Sequence, residues 1–265
     1  MKIGDALSLG QSIKLVAGYT LRRIAWSRRT FFLMLLLAIP MVFVVIIRSQ
    51  SPVGAIGTFQ TTLLPSLILS IFQILCAFLA TGLVRDGIED HTINFLLTRP
   101  IGRTRIVFGL YLGFLMLALP TALLSTGLSF AACVVGGGET STLLLSDPST
   151  QLLKVTALAV TFYGALYTLF GMIFRHPAIV GIAYLVLVEG FLGSLPGPPR
   201  RIVPSAWFEE MLVPHFATRV ALERGTDIVE QPGGFVPALV AYAIVLFLMA
   251  KKAQRLDFVS SQKES

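Results

Sequence analysis

Glu189 is the only acidic residue deep inside an apolar run, the stretch Ala178–Leu195. A carboxyl group buried in hydrocarbon costs several kcal/mol unless it is paired or faces water. Two roles suit it: a polar group on a transport path, or a hydrogen-bonded packing residue near the outer interface. Glu209, Glu210 and His215 are the next candidates, for a metal site. Five positions separate Glu210 from His215, which does not stack them on one helix face, and Pro214 intervenes. The sequence has no His-Glu-x-x-His pattern, so a metalloprotease centre is not supported. Gly-x-Ser-x-Gly is also missing, and no histidine falls at membrane depth, which removes a serine–histidine pair. His176, between Arg175 and Pro177, reads as an interfacial anchor in a tight hairpin. Cys76 and Cys133 both lie in apolar runs and read as small packing residues. No Gly-Lys pair occurs anywhere, so the chain has no phosphate-binding loop of the Gly-x-x-x-x-Gly-Lys kind. Gly136-Gly137-Gly138, followed by Glu139, reads as a flexible turn.

The most informative polar run lies between two apolar stretches: Arg85-Asp86-Gly87-Ile88-Glu89-Asp90-His91-Thr92-Ile93-Asn94-Phe95-Leu96-Leu97-Thr98-Arg99-Pro100-Ile101-Gly102-Arg103. Its acids come first, where the positive end of a helix dipole favours them. Ile93, Leu96 and Leu97 then recur at i, i+3 and i+4, one apolar stripe on a short helix. Arg99 and Pro100 end that turn, and Thr104 is placed to cap the next span. The expected product is a short amphipathic helix tied at both ends to membrane helices. Such an element can pass motion from a soluble partner into the membrane. Its plainer role is an ordinary surface connector.

The segment from Leu83 to Arg103 resembles the ABC type-2 permease family, whose members carry D-E-I-E-D-G-T-(x)3-L-L-T-R-P-(x)2-R after their second helix. Asp86, Ile88, Glu89, Asp90, Thr92, Leu96, Leu97, Thr98, Arg99, Pro100 and Arg103 match that pattern. The Arg28-Arg29 pair ahead of an apolar run is also similar to family members. Gly87 stands in place of the family's usual Glu and His91 in place of its Gly. Leu110 replaces a common Lys within Phe108-Gly109-Leu110-Tyr111-Leu112-Gly113. The resemblance implies the membrane subunit of an exporter, paired with a second permease subunit, identical or different. It also implies that two copies of an ATP-binding subunit dock through this loop. ATP and Mg would belong to that partner, whose closure rocks the helices between inward- and outward-facing states. The family's second and fifth helices help line the transport path, which would place Glu189 on it. On this reading the chain is not an enzyme and holds no cofactor of its own. Two alternatives stay open: a multi-pass membrane enzyme or protease, and a non-transporting scaffold or sensor that engages an ATPase. The loop favours the permease and the scaffold, and the lack of convergent polar groups at membrane depth argues against the enzyme.

The elements that must position these residues follow from composition. The chain is 55% hydrophobic and only 13% charged, about half the charge of a typical soluble domain. So much apolar surface has to face lipid, which predicts an all-α integral membrane protein. A span needs about 20 apolar residues. Six runs serve: 31–47, 63–84, 106–135, 152–174, 178–195 and 235–250. The third is overlong and holds Pro120, which predicts a kink or steep tilt. Between them fall a coupling loop at 85–105, a long external loop at 196–234 and a tail at 251–265.

With both termini cytoplasmic, fifteen of the 21 Lys and Arg lie inside, the excess that sets orientation in a cell's inner (cytoplasmic) membrane. Over 1–30, Leu9, Ile13, Ala17, Leu21 and Ile24 recur at helical spacing around Lys14, Arg22 and Arg23. That predicts an amphipathic, elbow-like interfacial helix whose charge pairs with anionic lipid; a solvated helix is the simpler reading. The net charge of +7 is thus orienting charge beside apolar runs, not a nucleic-acid footprint. In the external loop, Ser205 is placed to cap a helix through Val213 that Pro214 ends, with a second piece over Phe216–Arg224.

Overall fold

The computed structural model describes residues 9–27, 30–31, 35, 37–50, 64–89, 102–134, 147–193, 195, 198–212 and 234–255. Among these residues the only regular structure is helical. The helices are α1 (Leu9–Ala25), α2 (Ile39–Gln50), α3 (Leu64–Glu89), α4 (Arg103–Val134), α5 (Asp147–Ile173) and α6 (Pro177–Tyr184). α6 runs directly into a π-helical stretch, Leu185–Leu192. A short 3-10 turn (Pro198–Ile202), α7 (residues 204–212) and α8 (Phe235–Arg255) follow. Arg103–Ala132, Thr150–Ile173 and Phe235–Arg255 are long and apolar enough to cross a membrane. Ile68–Val84 and Pro177–Leu192 are shorter apolar helices. Backbone polar groups have no water to bind in hydrocarbon, so helices that close their own hydrogen bonds suit a membrane protein.

Several helices overrun the apolar runs that announce them. α3 continues past Val84 to Glu89, α5 starts at Asp147 and not Leu152, and α8 passes Ala250 to reach Arg255. Hydropathy marks depth in the hydrocarbon, whereas a helix continues until a breaker stops it. Ser27 supplies a cap that the sequence reading missed: its hydroxyl accepts from the Thr30 N–H at 3.2 Å as the chain leaves α1. α4 begins at Arg103, so Thr104 lies inside the helix; the Gly102 carbonyl accepts from Arg105 N–H at 2.9 Å. α4 then runs unbroken through Pro120. Proline withdraws one N–H there, and the Thr121 hydroxyl donates to the Leu117 and Ala118 carbonyls at 2.8 and 3.1 Å. The carbonyl that loses its donor is that of Met116, and the Thr121 hydroxyl reinforces the two carbonyls that follow it.

α5 is the central helix, packed against α3, α4, α6 and α8. α3 and α5 run the same way, since Gln73 meets Tyr163 and Thr81 meets Gly171. α4 runs against them, with Phe114 on Gly164 and Thr126 near Thr156. α6 also opposes α5, with Gly181 at Tyr167 and Glu189 at Tyr163. The link from α3 to α4 and the Arg175-His176 link therefore fall at one end of the bundle, called here the connector end. Gly171 and Gly181 flank Thr81: a Cβ on Gly171 would lie 2.6 Å from the Thr81 carbonyl oxygen. Only glycine allows that approach of two backbones.

Within the 1–30 stretch, α1 covers Leu9–Ala25, and its buried face (Val16, Ala17, Thr20) sits on α4. A Cβ on Gly109 would lie 2.7 Å from Val16, and one on Gly113 would lie 2.6 Å from the Ala17 carbonyl oxygen. Two glycines four apart thus make the seat for α1.

Candidate functional site

Glu189 is buried, and it does not stand alone. Tyr163 of α5 and Tyr184 at the end of α6 donate their hydroxyls to its Oε1 at 3.0 and 3.1 Å. The Ser205 backbone N–H donates to Oε2 at 3.2 Å. Behind Tyr163, Gln73 of α3 donates its Nε2–H to the tyrosine oxygen at 2.6 Å. One carboxyl group therefore ties together α3, α5, the π stretch and α7. Three donors replace the water that a buried carboxyl group would otherwise miss.

Ser205 lies in the first turn of α7, after Pro204, in the position where an N–H has no partner within its own helix. Val203 precedes it and offers no acceptor side chain. Glu189 fills the cap from another helix, so the expected cap by the Ser205 hydroxyl is replaced by this carboxyl group.

The π stretch is what brings Glu189 to this place. Pro177 and Gly181 lie on the buried face of α6. In a regular helix, the twelve residues from Pro177 to Glu189 would rotate the side chain about 120° away from that face. The wider i→i+5 turns of Leu185–Leu192 take up part of that rotation, and Glu189 stays buried.

α7 itself is fixed by aromatic packing. Phe208 is fully buried, its ring 5.9 Å from Phe162 and 5.7 Å from Tyr163. Tyr163 lies sixteen residues into α5, about 24 Å along the helix at 1.5 Å per residue. The segment after α6 therefore packs beside the middle of α5. Residues 204–212, within the 196–234 stretch, form the short helix expected there, and it packs on α5 through Phe208. From Tyr163 the rings continue through Tyr167, Phe170 and Phe174 toward the connector end.

A cleft of about 390 Å³ opens over the site, lined by Ser70, Gln73, Glu189, Arg200, Ser205 and Glu209 among others. Arg200 pairs with Glu209 at 2.7 Å near its mouth, where the arginine is 53% exposed. The polar groups thus lead from an exposed ion pair down to a buried carboxyl group. Glu210 is exposed and takes no part in that lining. No group of three or more His, Cys, Asp or Glu that could hold a metal ion occurs among the described residues.

Of the connector positions, Asp86, Ile88 and Glu89 lie in the last turns of α3, and Arg103 is the first residue of α4. Asp90, His91, Thr92, Leu96, Leu97, Thr98, Arg99 and Pro100 lie outside the described residues. So do Gly136–Gly138, His215 and the expected helix over 216–224. His176 is exposed at the N-terminus of α6, ahead of Pro177 in the first turn. Cys76 is a buried free thiol, its sulfur 3.9 Å from the Val160 carbonyl oxygen. The Glu189 network was legible in the sequence only as one acid out of place; its partners are five to 116 positions away.

No protein-family model matches the chain, and no curated protein is similar enough to it to count as a relative.

Proposed function

We propose that the chain is the membrane subunit of an ATP-driven exporter of the ABC type-2 kind, coupling a separate ATP-binding subunit to movement of a substrate across the membrane. Six crossings, cytoplasmic termini, an inner-membrane location and pairing with a second permease subunit belong to this reading. The observation that carries it is the run from Leu83 to Arg103, whose acids, Leu96-Leu97-Thr98-Arg99-Pro100 core and Arg103 fall in the family's order. Two structural features support it. α3 stays helical past its apolar run through Asp86 and Glu89, so a push on the connector is delivered along a rigid rod. Arg103, Arg105 and Arg175 lie beside the two links at that end, a basic cluster that suits a cytoplasmic face.

Glu189 belongs to this reading as a buried polar group lining the cleft that Arg200 and Glu209 also line. The same geometry gives the packing role its own support, because all three of its donors lie within the protein. The test of the function is co-expression with the ABC ATP-binding subunit of its own cell. The expected result is a stable complex in detergent with ATP hydrolysis raised above that of the ATPase alone. A chain that brings down no ATPase, or leaves its turnover unchanged, overturns the proposal. Reconstituted liposomes then separate permease from scaffold: ATP turnover without movement of any offered lipid, peptide or hydrophobic drug favours the scaffold.

A further inference from the structure

A second cleft, of about 300 Å³, lies near the connector end between α1, α3 and α4. Its walls are Phe78, Leu79, Gly82 and Leu83 of α3, Leu110 of α4, and Tyr19, Thr20, Arg23, Ile24 and Ser27 from α1 and its exit. The chemistry is two-sided. The α3 and α4 walls are apolar, and the α1 side presents the Arg23 guanidinium and the Tyr19 phenol, while the Thr20 and Ser27 hydroxyls donate to the Val16 carbonyl and to Thr30. Arg22 and Arg23 form the basic last turn of α1. Trp26, one turn on, is 88% exposed, a placement that suits the headgroup layer of a membrane and not open water.

Three glycines and one leucine shape the space. Gly109 and Gly113 seat α1 against α4 through Val16, Ala17 and Thr20, which holds Arg23 and Ser27 over the gap. Gly82 contributes no side chain to the gap. Leu110 carries the α4 wall at the position where the resembling family commonly has lysine, so the floor of the cleft is apolar and the positive charge is on its rim alone. At about 30 Å³ per water-sized unit, the volume admits a stretch of one hydrocarbon chain and not a whole folded ligand.

We infer that this cleft holds one anionic phospholipid of the surrounding membrane, with its phosphate on the Arg23 guanidinium and the Tyr19 hydroxyl and the start of one acyl chain along Leu79, Leu83 and Leu110. A zwitterionic lipid offers the same chains without net charge for the arginine. A free phosphate offers the charge without the chain for the apolar floor. The inference rests on the chain being membrane-embedded and not on the permease assignment, so the two stand or fall separately. A bound lipid would brace α1 against both α3 and α4, the helices joined by the connector.

The test is native mass spectrometry of the full chain in detergent, titrated with phosphatidylglycerol or phosphatidylcholine. One phosphatidylglycerol should be retained at an activation energy that strips phosphatidylcholine, with at least a tenfold preference. Arg23→Gln should abolish that preference and Arg23→Lys should keep most of it. Gly82→Phe, which fills the gap, should remove the retained lipid whatever its headgroup, with folding checked by circular dichroism. If Gly82→Phe does not fold, the Arg23 pair decides alone. Equal retention of both lipids, an unchanged preference in Arg23→Gln, or displacement by glycerol phosphate at the same concentration overturns the inference. Liposome flotation of each variant reports membrane insertion independently, so a failure of the membrane reading would be seen there.

Discussion

The two clefts are built by opposite means. Around Glu189, four segments converge through directional hydrogen bonds, and the helix that closes the site is pinned by a fully buried ring. At the connector end, helices meet over glycines: Gly109 and Gly113 under α1, Gly171 against Thr81. A hydrogen bond fixes distance and angle, so sliding one helix there breaks several bonds at once. Van der Waals contact over a glycine fixes only distance, and it tolerates a shift along the axis. The bundle is therefore stiff at mid-level and compliant near the connector, the end where the proposed ATPase would push.

Substitutions at four positions bear on that contrast. Phe208→Ala empties a buried aromatic site and should cost about 3–5 kcal/mol, read as a lower melting temperature in detergent and early proteolysis within α7. Glu189→Leu leaves two tyrosine hydroxyls and the Ser205 N–H without their acceptor and should cost about 3 kcal/mol. Glu189→Gln, which keeps one carbonyl acceptor, should cost less in the same melt. A similar loss from both would show that the acceptor is not what holds α7. Gly113→Leu drives a side chain into the Ala17 backbone and should cost about 2 kcal/mol. Its signature is release of α1 to protease while the Glu189 region stays protected. Loss of protection at both sites together would break the division into stiff and compliant regions. Arg200→Ala removes an exposed ion pair and should change stability by less than about 1 kcal/mol.

The sequence foretold the helices better than their ends, and single residues better than their company. Apolar runs announce helices because lipid-facing surface has to be apolar, but the run stops at the headgroups while the helix continues, as at Val84 and Ala250. Glu189 was visible as an acid in the wrong solvent. Its partners were not, because Gln73, Tyr163, Tyr184 and Ser205 are ordinary residues until the fold gathers them. The π stretch that aims the carboxyl group leaves no pattern in Leu185–Leu192, which reads as any apolar helix. Ser205 had the right chemistry for a cap, yet the carboxyl group from a packed helix took the N–H. The glycine pair at 109 and 113 was on the page as a spacing of four, and its use became clear only with Val16 and Thr20 lying on it.

On the proposed function, the connector between α3 and α4 is where an ATP-binding subunit would grip this chain. Charge reversal tests it most directly: Glu89→Arg and Arg99→Glu, each co-purified with the ATPase and assayed for stimulated ATP hydrolysis. Both variants should lose the subunit or its stimulation while their melting temperatures stay within a degree or two of the parent chain. Normal co-purification and normal stimulation in both would contradict it.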